Sequence, residues 1–109
     1  MRLGVRVAVR APGKVVRRVA VQGLRVRRSG PARSLEVAVA NLGDLIETNA
    51  VTVVLSVRGR AERVHATARE VLPRTRAILT ARYTGRLRGR VLARVEVDGV
   101  ARRSFSLRL

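Results

Sequence analysis

The 109-residue sequence contains no cysteine and no tryptophan, and its aromatic residues are Tyr83 and Phe105 alone. Without cysteine the chain has no disulfide and no thiolate for a metal site or a nucleophilic reaction. With so few aromatic rings it also lacks the stacking platforms on which single-stranded nucleic acids are bound. The core must come from aliphatic side chains, and the twenty valines predict a sheet, because branched side chains pack well on a pleated surface.

Residues suited to catalysis or metal binding are also scarce. His65 is the single histidine; on a strand, Glu62 would lie on the opposite face, and Glu70 is five residues away. Asp44 and Glu47, together with Asn49, could offer oxygens to a calcium ion, but we favour the simpler explanation that these residues cap the loop. Neither the Gly-x-Ser-x-Gly pattern of a serine nucleophile nor the spacing of a phosphate-binding loop is present. The sequence therefore predicts a non-catalytic protein without metal, cofactor or small-molecule substrate.

Negative charge is in short supply, because twenty-four basic residues face seven acidic ones and the formal net charge is +17. This balance predicts attraction to anionic polymers such as nucleic acid or cell-wall glycan, or to acidic lipid surfaces. All but one of the basic residues are arginine, whose planar fork suits phosphate and carboxylate better than lysine does. The composition by itself favours the simpler interpretation, in which the arginines only solvate the surface, and polyanion binding is the alternative.

Long apolar runs are missing as well. The longest, "AVTVVLSV" at residues 50–57, is far shorter than the ~20 residues that a membrane-spanning helix needs. Arginine recurs at every fourth residue in the first ten, so this segment has no signal-peptide core. No repeat, low-complexity linker or domain boundary interrupts the chain, which predicts one domain over residues 1–109.

Alternation of apolar and polar residues predicts about seven or eight strands. Gly23 shifts the parity of the second apolar run and predicts a bulge or bend, and Asp98-Gly99 is the signal for a two-residue hairpin. Short strands at regular spacing favour an antiparallel sandwich over a barrel. The predicted inward faces lie within residues 3–9, 15–21, 24–26, 35–39, 51–57, 77–83, 91–97 and 105–109.

The segment at residues 61–72, "AERVHATAREVL", is compatible with a short helix by propensity or with a strand. We favour a strand with Val64, Ala66 and Ala68 facing inward, because every flanking element reads as a strand.

Asn41, Gly43 and Asp44 interrupt two alternating segments, and these residue types form turns readily. They predict the point where the chain leaves one sheet and enters the other. The segment "VAVANLGD" at residues 37–44 resembles the V-x-V-x-N-x-G pattern of bacterial immunoglobulin-like modules of the CARDB type. The segment "VLPRTRAILTARY" at residues 71–83 is similar to the Leu-Pro segment that introduces a strand in those modules.

This resemblance implies an immunoglobulin-like β-sandwich that acts as a structural, adhesion or interaction module of an extracytoplasmic or cell-surface protein, usually without catalysis of its own. Two other functions fit the composition. One is a basic nucleic-acid-binding domain, which would place the protein in the cytoplasm. The other is a protein partner or self-assembling subunit, joined through edge strands.

One group of arginines stands above the background. From residue 86 to residue 94 they occupy even positions opposite an apolar face, which predicts a basic ladder along one strand, with a length on the order of 25 Å. Such a ladder could follow the repeating charges of a polyanion through bidentate contacts. Its predicted members are Arg82, Arg86, Arg88, Arg90 and Arg94.

Overall fold

The computed structural model describes residues 16–98 and 100–109, without the side chain of Ser29. The strand predicted at residues 3–9 lies outside the described residues. Within them, no helix is long and apolar enough to cross a membrane. The seven strands of this part are β1 (Val19–Ser29), β2 (Ala32–Asn41), β3 (Glu47–Val57), β4 (Arg60–Val71), β5 (Thr75–Tyr83), β6 (Arg90–Val97) and β7 (Ala101–Arg108).

The strands form an immunoglobulin-like antiparallel sandwich, as the sequence predicts. One sheet has the order β1-β2-β5 and the other has the order β4-β3-β6-β7. Consecutive strands pair as hairpins within each sheet, and the chain changes sheet between β2 and β3, between β4 and β5, and between β5 and β6. β3 lies between β4 and β6 and carries apolar residues on both faces, as a central strand should.

The core lies between the two sheets and consists of the predicted inward residues. Valine and leucine from β2, β3 and β6 are almost completely buried, and Tyr83 closes the cluster with 5% of its surface exposed. The alternation of the strands therefore identified the core correctly. Its members with at most 2% exposure include Leu35, Val37, Val39, Val51, Val53, Leu55, Val91, Ala93, Val95 and Val97.

Two register shifts modify the predicted alternation. The first lies between Val21 and Gly23, where the sequence predicts a bulge or bend. The second lies between Asn49 and Val51 and places one additional residue on β4, whose partners pass from Arg69 to Ala66. Residues 61–71 are indeed strand, but this bulge inverts the parity beyond Ala66. Ala68 is consequently exposed, and its predicted inward position was wrong.

The hairpin between β6 and β7 is confirmed, with three residues rather than two between the paired positions Val97 and Ala101. Asp98, its first loop residue, has a φ of 43°. The hairpin between β3 and β4 has a two-residue loop, in which Arg58 has a φ of 47° and Gly59 a φ of 80°. Asn, Asp and Gly are the usual residues in such turns. Arg58 therefore has a positive φ that is unfavourable for most residues other than these.

Candidate polyanion-binding surface

Two hairpin turns, one loop and the C-terminal residue meet at one end of the sandwich, which we call the basic end. The turns are residues 30–31 and 58–59, and the loop, residues 84–89, leads from β5 in one sheet to β6 in the other. Leu109 lies beside this loop, because its backbone N–H donates to the Gly89 carbonyl (2.8 Å) and its carbonyl accepts from the Gly89 N–H (3.3 Å).

The basic end collects arginines from four separate stretches of the chain. All of them are exposed except Arg33, which is half-buried. None makes an ion pair with any of the seven acidic residues, all of which are described. Uncompensated guanidinium groups at this density produce a strongly positive local potential. The nine residues are Arg28, Arg33, Arg58, Arg60, Arg82, Arg86, Arg88, Arg90 and Arg108.

Tyr83 lies beneath the loop of the basic end and holds it through hydrogen bonds. Its hydroxyl donates a hydrogen bond to Glu62 Oε1 (2.7 Å) and accepts one from the Leu87 N–H (2.7 Å). The Leu87 side chain is buried in the core with 5% exposure, so the two flanking arginines of the loop project into solvent. Burial, together with the adjacent Glu62 carboxylate, raises the pKa of Tyr83 above its ordinary value.

Gly85 makes this arrangement possible. A Cβ at this position would lie 2.6 Å from the Tyr83 hydroxyl and would also overlap the Glu62 carboxylate. The loop therefore passes directly over the Tyr83–Glu62 pair, and it can do so because residue 85 has no side chain.

The predicted arginine ladder was partly wrong. Arg86 and Arg88 belong to the loop, and Arg82 lies on β5 in the other sheet, so these residues do not share a strand with Arg90. Arg94 lies on β6 away from the basic end and pairs with Glu96 at 2.8 Å. Parity correctly identified which residues are exposed, but alternation cannot reveal where a chain leaves one sheet for the other.

Five arginines of the basic end were missed in the sequence. Four of them lie within two residues of a turn marked by Gly30 or Gly59, and Arg108 lies on β7 opposite Arg90. The available signal was the repeated placement of arginine next to turn glycines. Their convergence depends on strand pairing, which the alternation does not specify.

The predicted crossover residues lie at the opposite end of the sandwich. Asn41 is fully buried, and its side-chain amide donates to the carbonyls of Leu45 (2.7 Å) and Val71 (2.9 Å), while its Oδ1 accepts from the Gly43 N–H (3.0 Å). The last of these bonds closes an Asx-turn. The side chain thus ties together the residues that leave β2 and the end of β4.

Gly43 lies under the segment that enters β1. A Cβ on Gly43 would be 2.5 Å from the Val16 carbonyl oxygen and 2.7 Å from the Arg18 amide nitrogen. Gly43 does not have a positive φ, so backbone conformation does not explain the glycine. Glycine is required because another backbone approaches closely. Asp44 strengthens the same contact through a backbone hydrogen bond to Val16 (2.8 Å) and an ion pair with Arg74 (3.1 Å).

Glu47 is the most buried carboxylate at this opposite end, with 4% exposure. Both of its oxygens accept from Arg17 Nε, at 3.1 and 3.0 Å. The guanidinium therefore occupies the position that a cation would take. Among the described residues there is no group of three or more His, Asp or Glu side chains that could hold a metal ion.

The outer face of the β1-β2-β5 sheet has a separate shallow depression of about 660 Å³, whose lining includes Arg25, Glu36 and Ile78. Here the charge is neutralised within the protein, because Arg25 Nε donates to Glu36 Oε1 at 2.7 Å. This hydrogen bond lowers the pKa of Glu36 below its ordinary value. An anion would have to displace the carboxylate, so this face is a poorer polyanion site than the basic end.

No family model matches the sequence, and no curated protein matches it. Solved structures do share its fold. A β-glucosidase from Streptomyces venezuelae, DesR, matches 85% of the chain with a TM-score of 0.64 and 13% identity. A β-glucosidase from Listeria innocua matches 88% with a TM-score of 0.54 and 14% identity. The alkylpurine DNA glycosylase AlkC from Pseudomonas fluorescens, in a complex with DNA containing an abasic site analogue, matches 84% with a TM-score of 0.56 and 16% identity.

The chain spans only a small part of these proteins: 15% of DesR, 16% of the Listeria enzyme and 30% of the glycosylase. At such low identity the similarity concerns the fold alone.

Proposed function

We propose that this chain is a non-catalytic interaction module that binds anionic polymers through its basic end. The observation that carries the proposal is the convergence of nine arginines on one end of the sandwich without a single ion pair. Elsewhere in the described residues, six arginines pair with acids within 4 Å. Outside the basic end, five described arginines also lack an ion pair, so the larger group of unpaired positive charge lies at the basic end; these five are Arg18, Arg63, Arg69, Arg76 and Arg103.

The turn at Arg58 supports the same proposal from backbone conformation. A non-glycine residue with a φ of 47° is less stable there than Asn or Gly would be. The arginine therefore costs folding free energy, and in return it adds a positive charge to the basic end. The other arginine with a positive φ, Arg74 at 60°, pairs with Asp44, whereas the Arg58 guanidinium makes no ion pair and stays free for an external anion.

The fold comparison supports a module within a longer protein, because similar folds form a small part of much longer enzymes. In combination with the resemblance to immunoglobulin-like modules of cell-surface proteins, this favours an extracytoplasmic or cell-surface setting with a cell-wall glycan as the polymer. A nucleic-acid ligand is the second candidate, because one structure of similar fold is a DNA glycosylase in a complex with DNA.

The test measures the affinity of the domain for heparin and for duplex DNA as a function of salt concentration. Binding to both should weaken between roughly 50 and 200 mM salt, because phosphate or sulfate contacts release condensed counterions. Comparable affinity for the two polymers supports the general polyanion module. A marked preference for DNA that persists at the higher salt supports the nucleic-acid candidate.

Two matched variants locate the contact. The first replaces four exposed arginines of the basic end with serine, and the second removes the same charge from four unpaired arginines elsewhere. The first should flatten the salt dependence by up to about four phosphate contacts, and the second by much less. Equal effects would show that net charge alone drives binding and would overturn the assignment to the basic end. The first set is Arg28, Arg60, Arg86 and Arg90; the second is Arg18, Arg63, Arg69 and Arg76.

A further inference from the structure

A small notch opens in the basic end where β2 begins and β5 ends. Its volume is about 190 Å³. One tetrahedral oxyanion with part of its hydration shell fits a space of this size. The residues that line it include Pro31, Arg33, Arg82, Thr84, Gly85 and Arg88.

Three of these residues are arginines, which line the notch from the two faces of the β2–β5 pair and from the loop that follows β5. Arg33 lies directly opposite Tyr83 in the β2–β5 ladder, and Arg82 is the neighbour of Tyr83 on β5. Arg88 comes from the loop above. None of the three makes an ion pair with a described acidic residue, and all the acidic residues of the chain are described. The three guanidinium groups of the notch are thus unpaired, and the nearby carboxylate of Glu62, beneath Tyr83 and Gly85, is hydrogen-bonded to the Tyr83 hydroxyl.

Arg88 is also fixed in position before any ligand binds. Its Nη1 donates to the Leu87 carbonyl at 2.9 Å and to the Gly85 carbonyl at 3.3 Å. A guanidinium has five N–H donors, so its Nε and Nη2 groups remain for a ligand. The loop that carries it is anchored in turn by the Tyr83 hydroxyl. A preorganised arginine loses less conformational entropy on binding than a free surface arginine does.

We infer that this notch is a docking site for a single phosphate or sulfate group of the polymer, with Arg33, Arg82 and Arg88 as its ligands and the Thr84 hydroxyl beside them. The inference rests on the proposed polyanion-binding function and adds a defined site to it. The remaining arginines of the basic end supply long-range attraction, whereas the notch fixes the position of one anionic group.

The site is tested with inorganic phosphate and inorganic sulfate as separate probes, at constant ionic strength, by NMR titration of the backbone amides and the arginine Nε–H groups. The expected result is a saturable shift confined to residues around the notch, in particular Arg33, Gly85 and Arg88. Shifts that do not saturate and are spread over the whole basic surface would overturn the inference.

Arg88→Ser and Arg86→Ser form a matched pair, because both remove one exposed charge from the same loop and only Arg88 lines the notch. Arg88→Ser should weaken phosphate binding roughly tenfold, and Arg86→Ser less than twofold. Equal effects would overturn the inference. Arg82→Ser is a second variant that leaves the loop bonds untouched, and it should weaken binding by a similar factor to Arg88→Ser.

The two proposals fail in different ways. If heparin and DNA bind but notch variants leave inorganic phosphate and sulfate affinity unchanged, the notch is not a site and the polyanion module stands. If the notch binds phosphate or sulfate but neither polymer binds, the proposed function fails and the oxyanion site stands. A preference between inorganic phosphate and sulfate would indicate whether the polymer is a phosphate polymer or a sulfated glycan.

Discussion

The two ends of the sandwich are built from the same kinds of connection and do different things with them. At the basic end, two turns and a loop present arginines that make no ion pair with any acid of the chain. At the opposite end, the links contain Asp44 and Asp98, and the buried polar side chains there are bonded within the protein. The Asn41 side-chain amide makes hydrogen bonds with three backbone groups, and both oxygens of Glu47 accept from Arg17.

The difference between the two ends is clearest in two hairpin turns. Arg58 at the basic end and Asp98 at the opposite end both have positive φ, at 47° and 43°. Aspartate is a usual residue in this conformation and arginine is not. Arg74 at the opposite end also has a positive φ, at 60°, but its guanidinium pairs with Asp44 at 3.1 Å, whereas Arg58 pairs with no acid. The two ends therefore differ in whether their arginines are paired. The difference suggests that the opposite end contributes stability and the basic end contributes binding.

Replacing Asn41 with alanine should have the largest effect on stability. The change removes three hydrogen bonds and leaves the carbonyls of Leu45 and Val71 without their partner, so the free energy of unfolding should fall by about 3 kcal/mol. Leu42→Ala is the control, because its side chain is 47% exposed and its loss should matter little. Urea denaturation measures both, and an unchanged midpoint for Asn41→Ala would show that the opposite end is an ordinary loop.

Tyr83→Phe should lower the free energy of unfolding by about 1–2 kcal/mol, because the Glu62 and Leu87 groups lose their hydrogen-bonding partner. Such a loss would show that the basic end also contains one group that stabilises the fold, the Tyr83 hydroxyl beneath the arginines.

The raised pKa of Tyr83 adds a test with pH. The folded state retains the phenolic proton more strongly than the unfolded state, so this stabilisation is complete below the ordinary pKa of about 10. It should be lost as the pH rises through the folded-state pKa. Denaturation midpoints between pH 8 and 11.5 should fall more steeply for the native sequence than for Tyr83→Phe, and parallel curves would contradict the assignment.

Arg58→Asn should raise the free energy of unfolding by about 0.5–1 kcal/mol, because Asn adopts the positive φ more readily. Arg60→Asn removes the same charge from the same hairpin at an extended position and should give no such gain. If both variants gain equally, relief of charge repulsion explains the effect, and the turn conformation of Arg58 costs nothing.

Removing four arginines from the basic end should have the smallest effect on folding. The variant with serine at Arg28, Arg60, Arg86 and Arg90 should unfold within about 0.5 kcal/mol of the native protein, or slightly later as mutual repulsion is relieved. Thermal and urea unfolding measure this on the same samples used for polymer binding. A large loss of stability would contradict the proposal that the opposite end supplies stability and the basic end supplies binding.

Much of the fold was predictable because strand alternation is a local property. The inward residues of β2, β3 and β6, the bulge near Gly23 and the hairpin after β6 all follow from residues a few places apart. The same alternation correctly placed Arg86 and Arg88 in solvent. It was wrong at Ala68, because the bulge that inverts the face of β4 has no glycine or proline to mark it.

The sequence by itself determined that the protein is an all-β sandwich with a valine core and a large excess of exposed arginine. Only the tertiary structure decided where that charge gathers. Residues as far apart as Arg33 and Arg88 meet because β2 pairs with β5 and the following loop crosses between the sheets. Side-chain periodicity records which face of a strand a residue occupies. The partner of that strand is chosen by long-range pairing, which depends on packing of the whole core.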